Sequence, residues 1–159
     1  MHKVQMITED FFKSWFSQFN NTTNWSTIHN AIINTDYSDH FFKCNWNGVK
    51  GYIFEYLAKY LLLFQEYEHV YLYKDIPTNI REKLNLPDRD EGIDLIASID
   101  KKWIGIQCKW RTDPKKTLKK SVCTQLIYDI NNSKLKYGII FTNTTNMTPK
   151  FNDIPILKW

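Results

Sequence analysis

The sequence predicts an α/β domain, a mixed central sheet flanked by helices. Three observations carry that expectation. Between Gly51 and about Glu68, Ile53, Leu57, Tyr60, Leu61 and Phe64 recur at three- and four-residue steps, the period of an amphipathic helix. Two short runs, 92–99 and 104–110, alternate apolar and polar residues on either side of Asp100-Lys101-Lys102-Trp103, as a β-hairpin does. From Gly51 onward the elements read α, β, short α, β, β, α, β, an order that buries a sheet between helices.

Before Gly51 the chain reads as helical. Thr8 can cap a helix through Phe11, Trp15 and Phe19, ended by Asn20-Asn21, and Ser26 can cap a second through Ile28, Ile32 and Ile33. Residues 36–47 read as a connection, which makes 1–47 a helical extension and 48–159 the core of one compact domain. Within the core, Val70-Tyr71-Leu72-Tyr73 is β-branched and aromatic and predicts a strand. Pro77 and Pro87 bracket a short helix containing Arg81-Glu82-Lys83-Leu84. A helix is expected over roughly 118–131, a strand over 137–142, and a last edge strand over 154–157.

Composition narrows the class of function. At 159 residues with 43% hydrophobic and 24% charged side chains, the chain is long enough for one real core and is neither fibrous nor low in complexity. Cys44, Cys108 and Cys123 form no C-x-x-C and are odd in number, which argues against a disulfide framework or a zinc site. His2, His29, His40 and His69 have no ligand-like spacing. The longest apolar stretches are too short to span a bilayer, and the N-terminus has no apolar signal-peptide segment. An intracellular, reducing setting is expected, a host cell interior if the chain is viral. Lys outnumbers Arg 18 to 3, as AT-rich coding produces.

The net charge of +4 is unevenly placed. Lys109, Arg111, Lys115, Lys116, Lys119 and Lys120 crowd one window opposed only by Asp113, and the rest of the chain is close to neutral. A local basic patch points to a polyanionic partner. Lys115 and Lys119, and Lys116 and Lys120, stand four residues apart, a helical spacing that would line a groove along backbone phosphates. Trp110 beside them reads as a half-buried core residue.

The hairpin gathers polar groups. Ile93, Leu95, Ala97 and Ile99 share one face of the first strand, and Ile104, Ile106 and Cys108 share one face of the second. Burying both on one side with a two-residue turn at Lys101-Lys102 sets Asp94 opposite Lys109 and Ile96 opposite Gln107. Asp94, Gln107 and Lys109 then occupy the other face. Such a set suits Mg²⁺, which takes oxygen ligands at about 2.1 Å. Asp94 offers a charged oxygen, Gln107 a neutral one and Cys108 its backbone carbonyl. Lys109 can orient or deprotonate an attacking water, or stabilise charge on a phosphate.

Asp94, twelve intervening residues and Gln107-Cys108-Lys109 resemble the D…(E/Q)-x-K motif of the PD-(D/E)XK nuclease superfamily. The Gln form is similar to the Mrr-like and helicase-linked restriction endonuclease branch. Lys50-Gly51-Tyr52-Ile53-Phe54-Glu55 resembles that branch's first-helix signature, and the resemblance implies that Glu55 joins the metal site and compensates for the charge Gln107 lacks. Gln125 falls where the branch carries a supporting Gln on the following helix. The resemblance spans about 50–142 and matches the family's element order; Ile93 stands where the family has Pro.

The resemblance implies a restriction-endonuclease-like core that hydrolyses DNA with Mg²⁺, or Mn²⁺ as substitute, through a metal-activated water. It places Arg111, Lys115, Lys116, Lys119 and Lys120 on the DNA. It further implies a homodimer, or a helicase or recognition domain in the same polypeptide, with the chain as part of a larger enzyme. Two other readings compete: an inactive nuclease-like module that only binds nucleic acid, and a docking domain, which requires a large exposed apolar face on the first two helices. Against all of these stands the ordinary account of the same residues. Asp94 and Lys109 would form an exposed cross-strand salt bridge, Gln107 a solvated amide, and Glu55 an i,i+4 pair with Lys59. Asp88, Asp90 and Glu91 would be a solvated acidic loop.

Overall fold

The computed structural model describes residues 8–20, 22–35, 46–89, 92–148 and 156–158. Three helices come first, α1 (Glu9–Phe16), α2 (Trp25–Asn34) and α3 (Trp46–Phe64). They are followed by β1 (His69–Leu72), α4 (Thr78–Leu84), β2 (Leu95–Ile99), β3 (Lys102–Lys109), α5 (Thr124–Asn131), β4 (Gly138–Thr142) and β5 (Ile156–Lys158). The chain divides into two compact units, Met1–Tyr56 and Leu57–Trp159, and the division falls inside α3.

In the first unit Thr8 caps α1 as the sequence indicates, its hydroxyl accepting from the Phe11 N–H at 3.2 Å. The helix stops at Phe16, short of Phe19. The cap of α2 is Asn24, not Ser26: its side chain accepts from the Thr27 N–H at 2.9 Å, so the helix starts at Trp25. Helix α3 begins at Trp46, earlier than Gly51. The rings of Phe12 and Tyr56 stack at 5.3 Å, and Trp25 meets Phe54 at 6.4 Å. Among the described residues of α1 and α2 no large apolar side chain is exposed, and Phe11, Phe16, Trp25 and Ile33 are half-buried. The connection expected over 36–47 lies outside the described residues up to position 45.

The second unit holds a five-stranded sheet in the order β1-β2-β3-β4-β5. β1 pairs antiparallel to β2 and β2 to β3, while β4 pairs parallel to β3 and β5 parallel to β4. A parallel step needs a crossover, and α5 supplies it between β3 and β4. Helix α4 ends at Asn85, whose φ of 55° is the left-handed conformation usual after a helix C-terminus. Among the described residues no helix is long and apolar enough to cross a membrane.

The β2–β3 hairpin differs from the sequence expectation by two residues of register. The turn residues are Asp100 and Lys101, with φ of 50° and 61°, the pair of left-handed residues that a type I′ turn demands. Ile99 therefore pairs with Lys102, Ala97 with Ile104 and Leu95 with Ile106. A slip of two preserves which side chains share a face. It changes the partner of Asp94: the next step down the ladder is Gln107, not Lys109.

Both faces of this sheet are buried. Leu95, Ala97, Ile104 and Ile106 are fully enclosed on one side. On the other, Ile96 and Ile140 join Leu118, Cys123, Leu126 and Leu135 in one cluster. Gly105 and Gly138 sit side by side in the β3–β4 ladder, and a Cβ on either would press on Ile130 of α5. Two adjacent glycines thus let α5 approach the sheet.

The helix expected from Leu118 starts later. Leu118 bridges to Met147, residues 120–123 form a 3-10 turn, and α5 begins at Thr124. Main-chain groups of 114–118 bond to 144–148 instead of to one another. Thr145 donates to the Pro114 carbonyl at 2.9 Å, Leu118 to Asn146 at 2.9 Å and Thr148 to Leu118 at 3.1 Å.

The approach of the chain to Asp94 is tightly packed. A Cβ at Gly92 would lie 2.7 Å from the Gln125 carbonyl carbon and the Leu126 nitrogen, and 2.8 Å from the Asp129 carboxylate. Backbone cannot yield as a flexible side chain does. Gly92→Ala is expected to cost about 1–3 kcal/mol of stability and to lower Tm by several degrees. Urea and thermal unfolding measure it; an unchanged midpoint would show that α5 can retreat from the loop.

Candidate metal and phosphodiester site

Asp94 immediately precedes β2, where the β2–β3 pairing stops and β3 continues. Its N–H donates to the Ile106 carbonyl and its carbonyl accepts from the Tyr73 N–H, both at 2.9 Å. These two bonds hold its backbone between β1 and β3. Its carboxylate then accepts from the backbone N–H of Cys108 at 2.5 Å. Beyond Leu95–Ile106 a side chain thus takes the place of a strand carbonyl. Residues 107–109 keep main-chain pairing on the β4 side, with Ile140, Phe141 and Thr142.

In an extended strand the N–H and C=O of one residue leave the same edge. The Cys108 N–H points to the Asp94 carboxylate, so its carbonyl leaves that edge as well. Asp94 and the Cys108 carbonyl are thereby brought to one place. Gln107 is next to them on the shared face and is only 4% exposed. That burial removes the solvated-amide account. Its Oε1 is buried and accepts no hydrogen bond. Leaving such an oxygen unsatisfied costs roughly 1–3 kcal/mol, and a cation is one species that would satisfy it. A carboxylate, a neutral amide oxygen and a main-chain carbonyl form an oxygen donor set of the kind Mg²⁺ accepts. Among the described residues no three His, Cys, Asp or Glu side chains gather into a metal-binding group.

Lys109 follows, half-buried, on the same face as Gln107. The register does not set it opposite Asp94. Its carbonyl accepts from the Thr142 hydroxyl at 2.8 Å, which fixes the end of β3 to β4. Glu55 lies half-buried on α3 in the first unit. Gln125 lies on α5, and its amide donates to the Asp129 carboxylate at 2.9 Å. Of the acidic loop, Asp88 is exposed and lies 4.0 Å from Arg81, while Asp90 and Glu91 lie outside the described residues.

The basic residues occupy a stitched loop, not a helix. Lys115 and Lys116 are in a turn, Lys119 precedes the 3-10 segment and Lys120 opens it, so the expected one-turn spacing is absent. The loop is nonetheless held firmly. Arg111 and Asn143 exchange two hydrogen bonds, at 2.8 and 2.7 Å. Thr144 donates to the carbonyls of Pro114 and Lys116, and Asn146 to that of Lys115. Lys115, Lys116 and Lys119 are exposed, Arg111 and Lys120 half-buried. The roles of Thr142, Asn143 and Thr144, all buried, escaped the sequence reading. The one available signal was the dense Thr-Asn run at 142–146, a composition that favours side-chain-to-backbone bonding.

Cys123, buried below this loop, has its thiol pKa pushed up by burial, with the charges of Lys109 and Arg111 pulling partly back. A raised pKa keeps the thiol protonated and unreactive where an ordinary cysteine begins to ionise. Iodoacetamide labelling followed by peptide mass spectrometry should leave Cys123 unmodified in the native protein as pH rises through the ordinary thiol range. It should modify Cys123 fully once the protein is unfolded. Native labelling near neutral pH would place the thiol in an open, electropositive site instead.

A restriction endonuclease family model matches residues 61–154, more than half of the chain. No curated protein and no solved structure matches it. The matched segment contains β1 through β4, the Asp94–Cys108 contact and the whole basic loop, and its mixed sheet flanked by helices is a restriction-endonuclease-like fold. The sheet order and the family match agree, and the chain belongs to the restriction endonuclease family, within the PD-(D/E)XK nuclease-like superfamily.

Proposed function

We propose that the chain is a divalent-metal-dependent endonuclease domain that hydrolyses phosphodiester bonds in DNA. The observation that carries this reading is the buried, unsatisfied Oε1 of Gln107 next to Asp94. In this reading Asp94, Gln107 and the Cys108 carbonyl hold Mg²⁺ or Mn²⁺. A bound divalent ion supplies a lowered water pKa and offsets charge on the phosphate. Lys109 keeps its ammonium beside the scissile group, where it donates to a phosphate oxygen and stabilises charge as water attacks phosphorus and the P–O bond to the leaving oxygen breaks. Gln125 supports the site through α5. The carboxylate of Asp94 has a second duty in holding the Cys108 backbone, so its loss disturbs both ligands.

The stitched loop carrying Arg111, Lys115, Lys116, Lys119 and Lys120 continues directly from Lys109. In this reading it lays cations along the DNA backbone, positioning the duplex without reading its bases. A binding module without turnover is the runner-up, favoured by the single described carboxylate among the three donors named.

Metal binding is tested apart from activity. Mn²⁺ should raise the Tm of the protein, and Asp94→Asn should remove that shift. Gln107→Glu should enlarge it by adding charge to the donor set, and Gln107→Met should abolish it while leaving the metal-free protein equally or more stable, because an orphaned polar atom is gone. A Mn²⁺ shift retained in Gln107→Met and Asp94→Asn together would remove the site. In cleavage assays on plasmid DNA, Asp94→Ala and Lys109→Ala should lose at least about 10²-fold in rate, as removal of one transition-state contact does. Cleavage that persists in EDTA would overturn metal dependence, and a metal shift without cleavage of any DNA form would favour the binding module.

The loop has its own signature. Each phosphate contact contributes about 0.9 to the slope of log affinity against log salt on duplex DNA. Replacing Lys115, Lys116, Lys119 and Lys120 by Ala should reduce that slope by roughly two to four, equally on unrelated sequences. An unchanged slope would mean that the loop is a solvated face.

A further inference from the structure

A second basic site lies at the other end of the sheet. The β2–β3 turn, the end of α4 and the segment between α5 and β4 line an open surface cavity of about 370 Å³, formed by Lys83, Leu84, Lys101, Lys102, Trp103, Lys134 and Lys136. Five of these seven residues are lysines, and no acidic residue lines the cavity. Asp100 and Glu82 adjoin it in sequence but are exposed outside it. Seven residue steps along β3 separate Lys102 from Lys109, roughly 23 Å of strand. The cavity is therefore distinct from the Asp94–Gln107 site.

The lysines are brought together by fixed backbone. The Lys134 N–H donates to the Leu84 carbonyl at 2.8 Å, and the Lys136 N–H donates to the Trp103 carbonyl at 2.7 Å. The Asn85 side chain reaches the Asn132 carbonyl at 3.0 Å. Three chain segments are thus tied to one another at the points that bear the lysines. Lys101 stands at φ 61°, a conformation that glycine adopts at less cost, so a charged side chain occupies a position where local backbone preference does not call for one. Trp103 forms one wall, and its ring lies within 11° of parallel to His69 and 19° to Tyr71, with centroids 6.0 and 6.3 Å away. Five like charges in one concavity repel one another, and none of the described residues lining it is acidic.

We propose that this lysine-lined cavity is an anion site for a chain of phosphates, either free as a polyphosphate or nucleotide, or within a nucleic-acid strand. Ammonium groups on several segments match successive phosphates, and the volume falls within the range of small-ligand sites. All five lysine side chains are exposed, so removing them leaves the core intact.

The test reads binding, not cleavage, and runs in EDTA, so that failure of the proposed nuclease chemistry leaves it unaffected. Tripolyphosphate, ATP and a fluorescein-labelled oligo-dT are titrated at low salt into the full chain and into two variants. Lys102→Ala/Lys136→Ala alters the cavity, and Lys115→Ala/Lys116→Ala alters the loop beside the nuclease site. The cavity variant should lose at least about tenfold in affinity, while the loop variant keeps its affinity for the free polyphosphate. Loss on tripolyphosphate and ATP alone identifies a free polyphosphate as the source; loss on oligo-dT as well identifies a strand. A second cavity variant, Lys101→Ala/Lys134→Ala, should reproduce the loss, with circular dichroism checking the fold of each. Equal losses in cavity and loop variants, or no loss in either cavity variant with any of the three ligands, would overturn the proposal.

Discussion

The hydrogen bond from the Cys108 N–H to the Asp94 carboxylate organises the centre of the second unit. An ordinary ladder would have continued with a strand carbonyl at that point. With a side chain in its place, β2 can leave the sheet while β3 runs on against β4 alone. That departure brings an acidic oxygen to the edge of β3. The Cys108 carbonyl and the Gln107 amide follow, because the strand geometry of β3 leaves them no other direction. The bond thus terminates a strand pair and assembles an oxygen-rich corner.

The burial of that corner sets its chemistry. Gln107 is enclosed by the same layer that encloses Ile96, Ile140 and Cys123. A buried neutral amide oxygen without a donor is costly in a protein interior. A site that keeps one retains a binding preference for something that is not a protein donor. In the proposed metal site, a neutral amide in place of a carboxylate would lower the negative charge offered to a cation. The buried Thr142-Asn143-Thr144 run does the complementary work on the basic side. It satisfies the backbone of residues 111–116, so the loop can hold its lysines outward without helical hydrogen bonds.

Much of this was legible along the chain. The three- and four-residue apolar period marked α3, the β-branched runs marked β1 and β4, and alternation across 92–110 marked the hairpin and put Asp94, Gln107 and Lys109 on one face. Those are short-range signals, and each is decided within a few residues. The register was not legible. Both turn placements bury the same side chains, because a slip of two residues leaves the faces unchanged. Only the backbone of Asp100 and Lys101, both left-handed, selects the pairing that sets Gln107 beyond the Ile106 pair. The Asn24 cap was missed for a related reason: Ser26 and Asn24 are both competent caps, and the choice depends on where the helix is entered.

The sequence by itself determined the fold class, the family resemblance and the identity of the polar trio, because hydrophobic period and residue order specify which side chains face the same way. Tertiary structure decided everything that required distant segments to meet. The basic run at 115–120 has helical spacing in sequence, yet pairing of 114–118 with 144–148 overrides it, since those carbonyls and N–H groups find partners across the fold before they find them along the chain. The cavity of Lys83, Lys101, Lys102, Lys134 and Lys136 is the same effect in reverse. Its lysines come from three segments, each with at most two adjacent, and no local pattern marks them as a group. They become a charged site only because a hairpin turn, a helix end and a crossover loop are bonded together at one end of the sheet.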